Sequence, residues 1–184
     1  AELRARFPDA TWLDAHGQFI MPGMICAHTH TYGAFARGMA LKDPPPQDFQ
    51  QILQRLWWRL DRALQPDDVR YSALVCLIDA IRHGVTTLID HHASPNACVG
   101  SLDAIAAAFG EAGLRGCLCY EVSDREGPAK AHAGTRENER FARLLRASAP
   151  NSHSLAAMMG LHAPFTLSDE TIGEAVSVAR ELGI

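Results

Sequence analysis

Histidine is the residue type in this sequence whose spacing could do chemistry. Of nine, His28, His91 and His162 fall at or just past the ends of apolar, strand-like runs, with His30 and His92 close behind. In His28-Thr29-His30 both imidazoles project from one face of an extended segment, because side-chain direction there has period two. Both rings can then reach one cation. Neutral imidazole suits a borderline ion such as zinc, held at about 2.0–2.1 Å and typically given three protein ligands plus water when catalytic. Two ligands alone do not make a site, and such a pair can instead serve hydrogen bonding around a loop. Of the neighbours His91 and His92 at most one can face a shared pocket; His91 is assigned to it and His92 to packing. Glu121 either faces the same pocket or pairs with Arg125. Trp58 either walls an aromatic pocket or joins Trp57 in the core. Cys117-x-Cys119 also has same-face spacing, but in mid-strand it reads as packing.

The elements that must position these residues follow from hydrophobic period and chain breakers. Residues 11–23, TWLDAHGQFIMPG, read as a hairpin turning at Ala15, His16 and Gly17, so residues 1–22 form a short N-terminal β segment and 23–184 a second unit. Met24-Ile25-Cys26-Ala27 is a short buried strand behind Pro22-Gly23, ending at His28. Residues 31–47 form a long loop stiffened by Pro44-Pro45-Pro46. Phe49, Ile52, Leu53, Leu56, Trp57, Leu60 and Leu64 recur at helical spacing over Asp48–Leu64, and a second helix runs from Pro66 to Gly84. Val85–Ile89 is a β-branched strand ending in Asp90-His91-His92. A helix over Ser101–Ala112, a strand over Arg115–Val122, a helix over Thr135–Ala147, a strand over Ser154–Leu161 and a helix opened by Ser168 complete the alternation.

Strands alternating with helices imply right-handed βαβ units and a parallel sheet, whose function collects at the C-terminal ends of strands. The first strand–helix junction holds His28-Thr29-His30-Thr31-Tyr32 where a doubly wound nucleotide fold would carry a Gly-rich loop. The expectation is therefore α/β, the first half of a (β/α)8 barrel, a fold of about 250 residues when complete. A half-barrel leaves strand edges open, which predicts either a homo-oligomer or a completing C-terminal half. The start at Ala1 and the end in ARELGI fit an N-terminal fragment.

Composition narrows the function classes. With 17 Lys plus Arg against 21 Asp plus Glu, the formal charge of -4 argues against a nucleic-acid partner. Hydrophobic residues at 47% and charged residues at 21% describe a chain able to bury a core. No apolar run reaches the ~20 residues of a membrane helix, and AELRARFPDA lacks a secretory signal's apolar stretch, so a cytoplasmic location is expected. The five cysteines read as reduced fillers.

The stretch FIMPGMICAHTH resembles the entry motif of the amidohydrolase superfamily. So do Arg37-Gly38, His83-Gly84-Val85-Thr86-Thr87 before Asp90, Gly113-Leu114-Arg115, and Gly160-Leu161-His162-Ala163-Pro164-Phe165, which point to its deaminase and chlorohydrolase branch. Trp57-Trp58-Arg59-Leu60-Asp61, Asp90-His91-His92-Ala93-Ser94-Pro95 and Tyr120-Glu121-Val122-Ser123-Asp124-Arg125 are similar to aminohydrolases associated with selenium metabolism. The resemblance implies one divalent metal, zinc first, with His28 and His30 as ligands. Its remaining ligands and proton-moving residues are expected beyond Ile184, so no catalytic residue is assigned on this chain. Neither Lys42 nor Lys130 lies near the fourth strand, which favours a mononuclear centre over one bridged by a carboxylated lysine. His162 resembles the substrate-contacting histidine of the mononuclear branch; alternatively it satisfies local backbone groups. The implied reaction is hydrolytic deamination or dechlorination of a small nitrogen heterocycle by hydroxide formed on the metal. Cyclic amide hydrolysis, and a non-catalytic fragment lacking the other ligands, are the alternatives.

Overall fold

Chain breakers and β-branched runs place the strands, and the computed structural model, which describes residues 2–40, 42–148 and 154–184, shows them hydrogen-bonded in parallel. Strand β1 (Met24–Thr29) pairs with β2 (Val85–His92), β2 with β3 (Arg115–Val122), and β3 with β4 (Leu155–Ala157). Helices α2 (Phe49–Ile52), α3 (Trp58–Ala63) and α4 (Pro66–Arg82) connect β1 to β2. Helix α5 (Ser101–Ala112) connects β2 to β3, α6 (Pro128–Ala147) follows β3, and α7 (Asp169–Leu182) closes the described chain. The architecture is the first half of a (β/α)8 barrel, as the alternation predicts. The core lies between sheet and helices, where Leu88, Leu118 and Tyr120 meet Ala73, Leu77, Leu102, Ile105, Phe109 and Phe141. Packing there leaves no room for a Cβ at Gly116, which would come within 2.6 Å of the Phe109 ring.

Five local readings change. Strand β1, expected to be buried, lies at the edge of the sheet with Met24 and Ile25 57% and 67% exposed. The turn at Ala15–Gln18 forms, with Gln18 N–H donating to the Ala15 carbonyl at 2.8 Å. Its flanks make no strand, and a helix, α1 (Glu2–Arg6), precedes them. A lone hairpin needs a third strand or a packing surface, and Leu13 and Phe19 lie at least 90% exposed. The helix expected over 48–64 is interrupted by a π-turn at Leu53–Trp57, where Trp58 N–H donates to the Leu53 carbonyl five residues back. Helix α6 starts seven residues earlier than Thr135, at Pro128, whose ring takes the first helical position after Gly127. The fourth strand is broken: β4 ends at Ala157, and β5 (Gly160–Leu161) resumes pairing with β3 at Glu121 and Val122. Residue 1 of the N-terminal segment and residue 41 of the 31–47 loop lie outside the described residues.

The break has a cause. The buried Asn138 amide from α6 takes both backbone groups of Tyr120: Tyr120 N–H donates to Asn138 Oδ1 at 2.7 Å, and Asn138 Nδ2 donates to the Tyr120 carbonyl at 2.8 Å. On the other side Gly160 comes so close to β3 that a Cβ would sit 2.6 Å from both Cys119 Sγ and the Tyr120 carbonyl oxygen. The fourth strand therefore holds β3 through the Met158 N–H to Leu118 carbonyl bond at 3.2 Å, misses its pairing opposite Tyr120 and resumes at Gly160, beyond which His162 N–H donates to the Val122 carbonyl at 2.9 Å.

Candidate active site

The end of β1 is tied to the end of β2 by a buried carboxylate. Asp90 is fully buried and accepts from Thr31 N–H at 2.7 Å and from the Thr31 hydroxyl at 3.1 Å. Burial pushes its carboxyl up to about 7, against those two hydrogen bonds. With Thr31 held, His30 Nδ1 lies 2.8 Å from the His91 carbonyl oxygen. A carbonyl only accepts, so Nδ1 carries the proton and Nε2 of the neutral ring presents its lone pair. Burial favours that neutral form, holding His30 below its usual pKa.

His28 Nε2 lies 3.2 Å from His30 Nε2. Either His28 donates a hydrogen bond there, or both nitrogens present lone pairs to one cation. Two nitrogens bound to a tetrahedral zinc lie about 3.3–3.4 Å apart, so this donor pair fits the ion the sequence implies. The His30 Nδ1–H···O=C bond is of the kind that orients the ring in imidazoles that bind metals. Among the described residues no group of three His, Cys, Asp or Glu side chains forms a complete cage.

These two histidines open onto a cavity of about 390 Å³ that Tyr32, Trp57, Trp58, Asp61, His91, Glu121 and His162 also line. His91 stacks near His28 at 4.4 Å between ring centroids, and its Nδ1 lies 3.6 Å from Cys119 Sγ. His92, one residue on, points to the opposite face, fully buried with Nε2 2.8 Å from Ser94 Oγ. Burial drives the first to about 4 and the second to about 3, helped in both by neighbouring histidines. Glu121 projects from β3 to within 4.0 Å of His30 Nδ1 and is pushed up to about 7 by burial, with Arg125 opposing. His162 is half-buried, its Nδ1 2.8 Å from Thr166 Oγ1 and its ring 6.3 Å from that of Trp58. Cys117 and Cys119 are free thiols in the sheet, and burial pushes both up.

Sequence reasoning missed an acid that the cavity uses. Asp61 is 1% exposed and pairs with Arg125 Nη2 at 2.6 Å. The other oxygen, Oδ1, the Arg125 Nη1 and the Trp58 Nε1 are all buried without a hydrogen-bond partner. Burial raises Asp61 to about 6, with Arg125 pulling the other way. The available signal was a carboxylate on the apolar face of a helix, between Leu60 and Leu64. Tyr32 was likewise not singled out; it lies buried against His30, Trp57 and His92.

The sequence model described as "Amidohydrolase family" matches residues 19–184. The chain belongs to the amidohydrolase family. A 5-methylthioadenosine/S-adenosylhomocysteine deaminase of Pyrococcus furiosus is 32% identical to this amidohydrolase chain over 167 residues, which are 91% of the chain and 37% of the relative. A 5'-deoxyadenosine deaminase of Methanosarcina mazei is 29% identical over 175 residues, covering 94% and 37%. Among solved structures, a zinc-bound adenosine deaminase from Xanthomonas campestris superposes with a TM-score of 0.71 at 22% identity, covering 89% of this chain and 35% of its own. The guanine deaminase of E. coli gives 0.67 at 17%, covering 87% and 35%. The amidohydrolase chain thus spans 37% of the length of these curated relatives.

Proposed function

We propose that this chain supplies the first metal ligands and one wall of the substrate pocket of a hydrolytic deaminase or dechlorinase acting on a small nitrogen heterocycle. The observation that carries the reading is the 3.2 Å approach of the His28 and His30 Nε2 atoms, with His30 fixed by the His91 carbonyl. His28 and His30 would hold one divalent ion, zinc first. When bound, that ion supplies positive charge that acidifies water and polarises the electrophilic carbon.

The chain's own residues do the rest of what can be assigned. His30 keeps its proton on Nδ1, toward the His91 carbonyl, and so its lone pair stays turned to the ion. Trp58 offers a flat face to a heteroaromatic ring, while His91, His162 and Glu121 contact the substrate's polar edge. Tyr32 and Trp57 exclude water from the floor between them. The relatives named for 5-methylthioadenosine and 5'-deoxyadenosine support a substrate with an amino-bearing ring. Within the family we read the chain as similar to the aminohydrolases associated with selenium metabolism. The Asp61–Arg125 pair, which joins two of the segments that carry that similarity, supports it. Residues 1–22 are read as the lead-in from a small β domain.

The test is metal content and ammonia release by the full-length protein. The His28→Ala, His30→Ala double variant is expected to lose stoichiometric zinc and ammonia production together. Retained zinc in that variant would sink the ligand assignment. Hydrolysis that yields a ring-opened acid and no ammonia would move the reaction to cyclic amides.

A further inference from the structure

The short helical turn Asp124–Glu126, just past the end of β3, grips two other segments of the rim. Asp124 accepts from Ser168 N–H at 2.6 Å and from the Thr171 hydroxyl at 2.7 Å, which ties it to the start of α7. Its neighbours reach α3: Arg125 Nη2 donates to Asp61 Oδ2 at 2.6 Å, and Arg62 Nε donates to Glu126 Oε1 at 2.7 Å. The two pairs differ in setting. The Arg62 and Glu126 side chains are 44% and 23% exposed, where an ion pair contributes little. Those of Arg125 and Asp61 are 9% and 2% exposed. The Arg125 guanidinium also lies over the Trp58 indole, 5.4 Å from the ring centroid. Trp58 and Asp61 line the cavity of the candidate site, and Arg125 does not.

Stability does not account for this arrangement. Asp61 Oδ1, Arg125 Nη1 and Trp58 Nε1 have no hydrogen-bond partner among the described residues, and all three are closed off from solvent and from the cavity. As the side chains stand, a further length of chain would not reach them. A buried ion pair left this incomplete is commonly matched or bettered in stability by apolar side chains of similar volume. What the charge does supply is a place for a ring. A planar guanidinium tethered by Asp61 attracts the indole face in one orientation, as an alkyl chain would not.

We propose that Arg125 is a positioning residue, which through its contact with Trp58 and its bond to Asp61 fixes the indole as the wall on which a flat heterocycle seats. This role rests on the reading of Trp58 as a substrate wall. Arg125 thereby acts on substrate affinity and leaves the metal ligands His28 and His30 alone.

The test compares removal of one partner with removal of both, in the full-length protein. Arg125→Met strands the Asp61 carboxylate and is expected to lower the urea midpoint. Asp61→Leu combined with Arg125→Met leaves no stranded charge, and its midpoint is expected to return to the parent's or exceed it. In that double variant KM for the heterocycle that releases ammonia is nonetheless expected to stay raised about tenfold, with kcat within about twofold and zinc stoichiometric. Fluorine NMR of protein labelled with 5-fluorotryptophan reads the ring without activity. The Trp58 line, assigned by its loss in Trp58→Phe, is expected to shift and broaden in the double variant. Arg62→Gln, which removes the exposed pair, is expected to change neither KM nor that line. Should the double variant not fold, Arg125→Lys, which keeps the charge but not the planar fork, decides by the same two readings. KM restored together with stability, a Trp58 line unmoved in a folded variant, or an equal effect of Arg62→Gln would each overturn the proposal. A shifted line in a protein that releases no ammonia from any heterocycle would uphold the positioning of Trp58 and sink the deaminase reading instead.

Discussion

At the ends of β1 and β2 the side chains of the pocket are held by neighbouring strand ends, whereas between β3 and β5 it is the backbone of β3 at Tyr120 that is held, by a helix reaching in from outside. Asp90 clamps Thr31, and the His91 carbonyl orients His30, across adjacent parallel strands. Across the rim, the Asn138 amide from α6 occupies the backbone groups of Tyr120 while Gly160 lets the returning strand come close. The first arrangement has one geometry and suits ligands that must meet an ion to within tenths of an ångström. The second interrupts strand pairing opposite Tyr120 and suits a wall that must fit a particular substrate.

The largest expected effect is on the first side. Asp90→Ala strands a buried N–H and a buried hydroxyl, which costs about 3 kcal/mol in urea denaturation. It also releases Thr31 and hence His30, so zinc affinity falls with stability. Asp90→Asn keeps one acceptor and is expected to recover about half of that loss. Full zinc affinity in folded Asp90→Ala would break the link between the clamp and the ligand pair.

On the second side Gly160→Ala forces a Cβ against Cys119 Sγ and the Tyr120 carbonyl oxygen, an overpacking cost of about 2 kcal/mol. The expected signature is different: KM for substrate rises as β5 and His162 shift, while zinc content is unchanged. If zinc and substrate affinity fall together in this variant, the two sides of the rim are one unit and the contrast between them is lost.

How much of this could be read from residues alone follows the range of the interaction. Helix α5 and strand β3 lie where hydrophobic period and the stop at Gly113 put them, because those signals act over a few residues. The alternating order, and the placing of His28, His91 and His162 at strand ends, were legible for the same reason. The break after Ala157 was not, since Leu155–Met159 reads as one apolar run and its cause sits in Asn138 on another element. The start of α6 was hidden because Ala129 to Gly134 show no apolar stripe. Asp61 was hidden because its partner Arg125 lies 64 residues away, so nothing near it in the chain showed what would neutralise a carboxylate on that apolar face.

That ion pair provides the smallest and most selective test, because Asp61 and His162 face the same Arg125 with opposite pH behaviour. Burial raises Asp61 to about 6, above an unfolded value of about 3.9. Its contribution to stability is thus full below about pH 4 and is lost as pH rises to 6. Burial and then Arg125 lower His162 to about 4, beneath an unfolded value of about 6.5, so its contribution is full above that value and is lost as pH falls. Within pH 4–6 the two slopes oppose one another. Asp61→Asn keeps an acceptor for Arg125 but removes the first slope. The variant's stability is therefore expected to rise more steeply with pH than the parent's, by no more than about 1.4 kcal/mol per pH unit. Parallel curves in chemical denaturation from pH 4 to 6 would mean that Asp61 ionises in the fold as it does in the open chain, and that solvent reaches the pair.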